Sequence, residues 1–167
     1  MKISSADMVV HPMGLRFMGR MFPCTVGRGG ISADKREGDG ATPTGVHSIV
    51  GMLYRPDRIA PPTDWAMPIL PGDLWSDDST SDDYNTMVRA PYPFSHEVLR
   101  RADPLYDLVI LTDWNWPNAV LGRGSAIFMH RWRRPGFPTE GCIGVRPDDL
   151  AWIAPRIQRS TRLIVSG

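Results

Sequence analysis

Short apolar runs alternate with glycine- and proline-rich breaks along the chain, and few of those runs carry helical spacing. The stretch DMVVHPMGLRFMG (7–19) places two apolar arms around Pro12–Gly14 and predicts a β-hairpin, with MFPCTVG (21–27) as the next strand. VHSIVGMLYR (46–55) alternates well enough to predict a strand. YDLVILTDWN (106–115) and GSAIFMH (124–130) are apolar and β-branched enough that both are expected at the centre of a sheet with both faces covered. RLIVS (162–166) predicts a closing strand. Two segments read as short helices. SHEVLRRA (95–102) offers Ser95 as N-cap and Glu97 in the first turn, and RPDDLAWIAPRI (146–157) has two aspartates where a helix dipole favours negative charge.

The breaks between runs are long. Residues 27–45 form a polar, glycine-rich segment whose glycines do not fit GxxxxGK[ST], so a P-loop is excluded. From Pro56 to Met87 the chain is rich in Pro, Asp and Ser and reads as a loop excursion anchored by Trp65, Trp75 and Tyr84, with SDDSTSDD (76–83) solvated. The pattern predicts a mainly β fold with a few short helices, without the strand–helix alternation of a doubly wound sheet. The length of 167 residues suits one domain spanning 1–167.

Composition narrows the function. A formal net charge of +1 gives no global field for nucleic acid, and no apolar run reaches membrane-spanning length. Of 19 basic residues only Lys2 and Lys35 are lysines. The cluster Arg131, Arg133 and Arg134 offers planar forks suited to carboxylates, or a solvated loop face. The start, MKISSADMVV, lacks the apolar core of a signal peptide. There are two cysteines, Cys24 and Cys142, and no CxxC, HExxH or EF-hand spacing, so neither zinc nor calcium is expected. Cys24 lies in a strand pattern and reads as an inert thiol, although a Cys24–Cys142 disulfide satisfies the count.

The chemistry concentrates in HRWRRPGFPTEGCIG (130–144), where a strand-end His130 precedes Cys142 by twelve residues. If the two face each other across a hairpin-like turn, a thiol nucleophile meets its base. The nearby arginines would lower the thiol pKa from its usual value of about 8.5. Gly141 would let a substrate approach the backbone, and the amides around it could form an oxyanion hole. Spacing alone also allows a buried thiol downstream of an arginine-rich loop. Around this pair, Trp132 and the arginines are candidate substrate contacts, and His96 and Glu97 could line a substrate cleft or serve only as a surface histidine and a helix cap. Asp113 and Asn115 read as turn formers, His47 as structural and His11 as a surface turn residue.

IFMHRW…TEGCIGV resembles the catalytic signature of the YkuD-type L,D-transpeptidases: a strand ending in His, a loop, then Ser/Thr-x-Gly-Cys and an apolar residue. Thr139, Gly141, Cys142 and Ile143 match it, with His130 as the upstream base. KREGDGATPTGVHSI resembles the block in which Thr-Pro-x-Gly (Thr42, Pro43, Gly45) leads into a strand. Two positions depart: Glu140 stands where the peptidoglycan cross-linkers often have His, and Gly144 where Arg or Asn is usual. The resemblance implies a YkuD-like β-sandwich or barrel-type catalytic domain. It also implies a cysteine acyltransferase that needs no cofactor or metal, with Cys142 as nucleophile and His130 as general base and acid. Gly141 would belong to the oxyanion hole and the Arg131 carbonyl would orient His130. Thr139, Glu140, Trp132, Arg133, Arg134 and His96 would meet peptidoglycan stem peptides. Acylation by carbapenems and a periplasmic location follow from the same resemblance. The pattern is closest to a short, lid-poor proteobacterial branch, some members of which link L-Ala of one stem to diaminopimelate of another (1–3 links). Hydrolysis of the same thioester, as an L,D-carboxypeptidase or endopeptidase, and an inactive peptidoglycan-binding domain are the alternatives.

Overall fold

The computed structural model describes residues 2–167. In chain order its strands are β1 (Met8–His11), β2 (Gly14–Phe17), β3 (Arg20–Phe22), β4 (Cys24–Thr25), β5 (Ile31–Ser32), β6 (Thr42–Pro43), β7 (Gly45–Tyr54), β8 (Met67–Pro68), β9 (Asp73–Ser76), β10 (Met87–Arg89), β11 (His96–Val98), β12 (Leu108–Thr112), β13 (Phe128–Arg131), β14 (Ile143–Val145) and β15 (Arg162–Val165). One α-helix, α1 (Pro147–Ile153), is joined by 3-10 turns at Pro104–Tyr106 and Ala154–Arg156.

The hairpin forms as expected. His11 and Gly14 are register partners, so Pro12 and Met13 alone make the turn. Gly14 has φ +127, and a Cβ there would come within 2.4 Å of the Phe22 carbonyl oxygen, so only glycine lets β2 pass this close to β3. The single strand expected over 21–27 is two. Pro23 has no N–H to continue a ladder, and it hands the chain from β3 to β4. Those strands lie at opposite ends of the main sheet, whose order is β3-β2-β1-β15-β7-β12-β13-β14-β4 with β8 beside β7. A sheet whose two ends are joined by one residue must curl until they meet, and the result is a nearly closed barrel.

β12 sits near the middle of that order and is buried along its whole length. Leu108 and Ile110 pack inside the barrel with Met52, Met129, Ile143 and Leu163. Val109 and Leu111 face a second cluster that includes Trp75, Leu99, Tyr106, Phe128 and Cys142. β13 repeats the alternation: Met129 points inward, whereas Phe128 joins the outer cluster. His130, two residues on, shares the face of Phe128. α1 starts at Pro147 with Asp148 and Asp149 in its first turn and buries Leu150 and Ile153 in the barrel core.

Two expectations fail here for one reason. The excursion from Pro56 to Met87 contains β8 and β9, and β9 is the middle strand of a separate three-stranded sheet, β10-β9-β11. The segment expected as a helix over 95–102 supplies β11, with His96 opposite Ser76 and Val98 opposite Leu74. An isolated eight-residue helix is marginal in water, and pairing with β9 outweighs its local propensity. Trp75 and Tyr84 are buried anchors of this layer, as expected; Trp65 instead packs against the barrel core.

Candidate active site

His130 stands on β13 between Val109 of β12 and Gly144 of β14. Its Nδ1 lies 2.8 Å from the carbonyl oxygen of Arg131, and the Tyr106 ring packs edge-on against it with centroids 5.2 Å apart. With Nδ1–H donated to that carbonyl, the neutral imidazole keeps Nε2 as its acceptor nitrogen. The turn between His130 and Cys142 is not hairpin-like. β13 and β14 are parallel, so the chain must cross back before pairing Ile143 with Met129. Cys142, one residue earlier, therefore falls beside Phe128, whose N–H donates to its Sγ at 3.4 Å. The thiol in turn donates to the Ala126 carbonyl at 3.1 Å. That carbonyl is turned to the sulfur because Ala126 has φ +52, which also ends the strand expected over 124–130 short of its start.

The backbone before the thiol is held from two sides. Thr42, fully buried, donates from Oγ1 to the Gly141 carbonyl at 2.7 Å and accepts the Gly27 N–H at 2.8 Å. Thr139 donates from Oγ1 to the Cys142 carbonyl at 2.5 Å and accepts the Gly141 N–H at 3.2 Å. Gly141 has φ +136, and a Cβ there would lie 2.9 Å from the Ala41 carbonyl oxygen, so glycine is required by both conformation and space. The two sequence blocks that resemble the family, around Thr42 and around Cys142, are thus bonded to each other.

Cys142 and His130 line one cavity of about 600 Å³, together with Lys35, Glu37, Asp77, Glu97, Arg101, Tyr106, Ser125, Trp132, Arg133, Thr139 and Glu140. Burial pushes the Cys142 thiol up to about 12, and the Glu97 charge adds to the rise against the Phe128 N–H and Lys35. Burial also depresses His130 to about 4, with Arg101 and Arg133 acting in the same direction and the Arg131 carbonyl opposing. The resting pair is therefore thiol and neutral imidazole. The expectation that the arginine cluster lowers the thiol pKa is overturned. The charges that reach the sulfur come from Glu97, which adds to the rise, and from Lys35, whose opposing effect desolvation outweighs.

Of the expected site residues, Trp132, Arg133, Thr139, Glu140, Gly141 and Cys142 gather with His130 at or beside the cavity. Glu140 is mostly exposed and pairs with Arg28 at 2.8 Å on the rim. Arg134 does not line the cavity; its guanidinium sits over the Phe137 ring at 4.8 Å. His96 also turns away, with Nδ1 2.7 Å from the Phe94 carbonyl and its ring against Tyr92. Its neighbour Glu97 faces in, because alternate residues of a strand take opposite faces. The Gly141 N–H is spent on Thr139, so of the oxyanion-hole candidates the Cys142 amide is the better placed. Gly144 has no room for a side chain: a Cβ would come within 2.6 Å of Thr25 Oγ1 and 3.3 Å of the Trp132 Cβ. Both cysteines are free thiols, which removes the disulfide alternative. Asn115 and Asp113 serve the local chain, Asn115 bonding the Val120 and Gly124 carbonyls and Asp113 accepting the Ser48 N–H. No sequence signal marks Lys35, Glu37, Asp77, Arg101 and Tyr106, which only the fold brings to the cavity. Glu97 was readable as a cleft candidate beside His96, although its segment reads as a helix and folds as a strand.

Residues 16–165 match the family model of the YkuD L,D-transpeptidase catalytic domain. The chain belongs to that family. No curated protein and no solved structure matches it. The nearly closed barrel is consistent with the YkuD domain, and membership makes this an L,D-transpeptidase-type enzyme of a family that acts on peptidoglycan peptides. Among the described residues no helix is long and apolar enough to cross a membrane.

Proposed function

We propose that the protein is a cysteine L,D-transpeptidase working in the cell envelope, with Cys142 as nucleophile and His130 as its base and acid. The observation that carries the reading is the His130 Nδ1 contact with the Arg131 carbonyl, which leaves Nε2 for proton transfer in the cavity that holds the thiol. Both groups rest uncharged, so the thiol loses its proton as it attacks rather than before. The Cys142 sulfur bonds to the carbonyl carbon of an L-residue in a donor stem peptide while its proton passes to His130. The tetrahedral oxygen takes a hydrogen bond from the Cys142 N–H, whose backbone Thr42 and Thr139 hold in place. His130 then gives its proton to the departing amine, the C–N bond breaks and a thioester remains. An acceptor amine attacks that thioester and restores the thiol. Thr139 acts as a backbone support, while Trp132, Arg133 and Glu140 are placed to meet the stem peptide.

The test is incubation with purified tetrapeptide and pentapeptide muropeptides, read by mass spectrometry, beside Cys142→Ala. The expected result is a cross-linked product and a covalent adduct on Cys142, both lost in the variant. The product mass and fragmentation separate 1–3 from 3–3 links, and a shortened uncross-linked stem identifies hydrolysis. A carbapenem adduct on Cys142 is expected by the same chemistry. Full cross-linking by Cys142→Ala refutes the assignment.

A further inference from the structure

Four carboxylates line the cavity that holds the thiol and the imidazole: Glu37, Asp77, Glu97 and Glu140, the last mostly exposed on the rim and paired with Arg28. Glu37 is occupied, accepting from the Tyr84 hydroxyl and from Ser125 Oγ at 2.8 Å. Glu97 is different. Only its Oε2 is used, by the hydroxyl of Tyr106, whose ring packs on His130. That bond fixes the carboxylate beside the catalytic pair and leaves Oε1 for a ligand. Asp77 follows the end of β9, and with Glu97 opposite Trp75 the two carboxylates share one face of the small sheet. Asp77 Oδ1 is enclosed without a hydrogen-bond partner. An enclosed carboxylate oxygen of this kind calls for a donor, and an ammonium carries three.

We infer that Glu97, backed by Asp77, receives the ammonium group of the acyl acceptor and takes its first proton. The inference rests on the acyl-transfer reading above and assigns the residue that makes the acceptor nucleophilic. An amine arrives as R–NH3+ at neutral pH and has no lone pair to attack with. Burial disfavours both charges of the ion pair, which moves the proton from nitrogen to the Glu97 carboxylate. The groups facing Glu97 are the Tyr106 hydroxyl, Asp77, Arg101 and Glu37; burial, Asp77 and Glu37 raise its pKa, while Tyr106 and Arg101 oppose. The nitrogen lone pair then bonds to the thioester carbon and the C–S bond breaks with its electrons on sulfur. The second proton crosses to the Cys142 sulfur by way of His130. The products are an amide, a restored thiol and one proton on Glu97, which is lost to solvent.

The experiment compares two acceptors on the acylated full-length chain: a diamino-acid stem peptide, cationic at pH 7, and hydroxylamine, which is already neutral there. With Glu97→Gln the acyl-enzyme is expected to form and to transfer to hydroxylamine, while transfer to the cationic acceptor falls roughly 10²-fold, the low end for a general base. That deficit should shrink as pH rises towards the pKa of the amine. Glu97→Asp, which keeps a carboxylate, should recover most of the preference. Equal losses with both acceptors in both variants, or no loss with either, overturn the inference while leaving the thioester chemistry intact. A wild-type chain that forms no adduct on Cys142 overturns the acyl-transfer reading, and this inference with it.

Discussion

Replacing Thr42 by Val separates a hydrogen-bonding role from a packing role at the point where the two signature blocks meet. Valine has nearly the same shape, so the fully buried site stays filled, but the hydroxyl that donates to the Gly141 carbonyl and accepts from the Gly27 N–H is gone. Each backbone group left buried without a partner costs roughly 1–3 kcal/mol, so the loss is about 2–6 kcal/mol. For a chain of this size each kcal/mol shifts the melting temperature by about 2–4 °C, so a fall of at least about 4 °C is expected. Thr42→Ser keeps both bonds and removes only a methyl group, about 0.8 kcal/mol of burial. Thermal melts and urea titrations of the two variants give the stability order, and the rate of covalent labelling of Cys142 gives the effect on the site. The expected order is wild type, then Ser, then Val, with labelling slowest in Val. A Val variant as stable as Ser would refute the claim that this hydroxyl holds the Gly141–Cys142 backbone.

His130 is protonated only near pH 4, so acylation should stay level from about pH 5 upwards and fall as pH drops through about 4; a limb near 6.5 in a stopped-flow profile would contradict this. The same depression links to stability. Between about 6.5 and 4 the unfolded chain binds a proton that the folded chain refuses, so stability falls with decreasing pH by up to about 3 kcal/mol, and His130→Gln should flatten that slope in urea titrations. Gly144→Ala places a methyl group 2.6 Å from Thr25 Oγ1 and is expected to cost about 1–3 kcal/mol by overpacking, measured as a lowered melting temperature. Glu140→Ala removes only an exposed pair with Arg28 and should change stability by less than about 1 kcal/mol, so any larger loss of turnover in the muropeptide assay reports substrate contact.

Local chemistry wrote several features directly into the sequence. The Pro12–Met13 turn, the two-sided burial of Leu108–Thr112 and the acidic first turn of α1 follow from steric, period-two and dipole rules that act over a few residues. Spacing alone left His130 and Cys142 ambiguous; the Thr-x-Gly-Cys and Thr-Pro-x-Gly blocks, both short-range patterns, made them candidates through the family resemblance. Long-range pairing decided the rest. Pro23 marks a break, but that its two sides belong to opposite ends of one sheet follows only from closure of the barrel. Ser95–Ala102 has the composition of a helix, and β9 makes it a strand, which turns His96 outward and Glu97 into the cavity. The sign of the Cys142 shift could not be read from neighbouring arginines, because desolvation depends on what covers the sulfur. That cover comes from Phe128, Ala126 and the outer cluster, none of them adjacent to Cys142 in the chain. The sequence by itself named Cys142 and His130 as candidates, because their motifs are local; the tertiary structure decided which residues share their cavity and with what charge, because burial and long-range pairing set both.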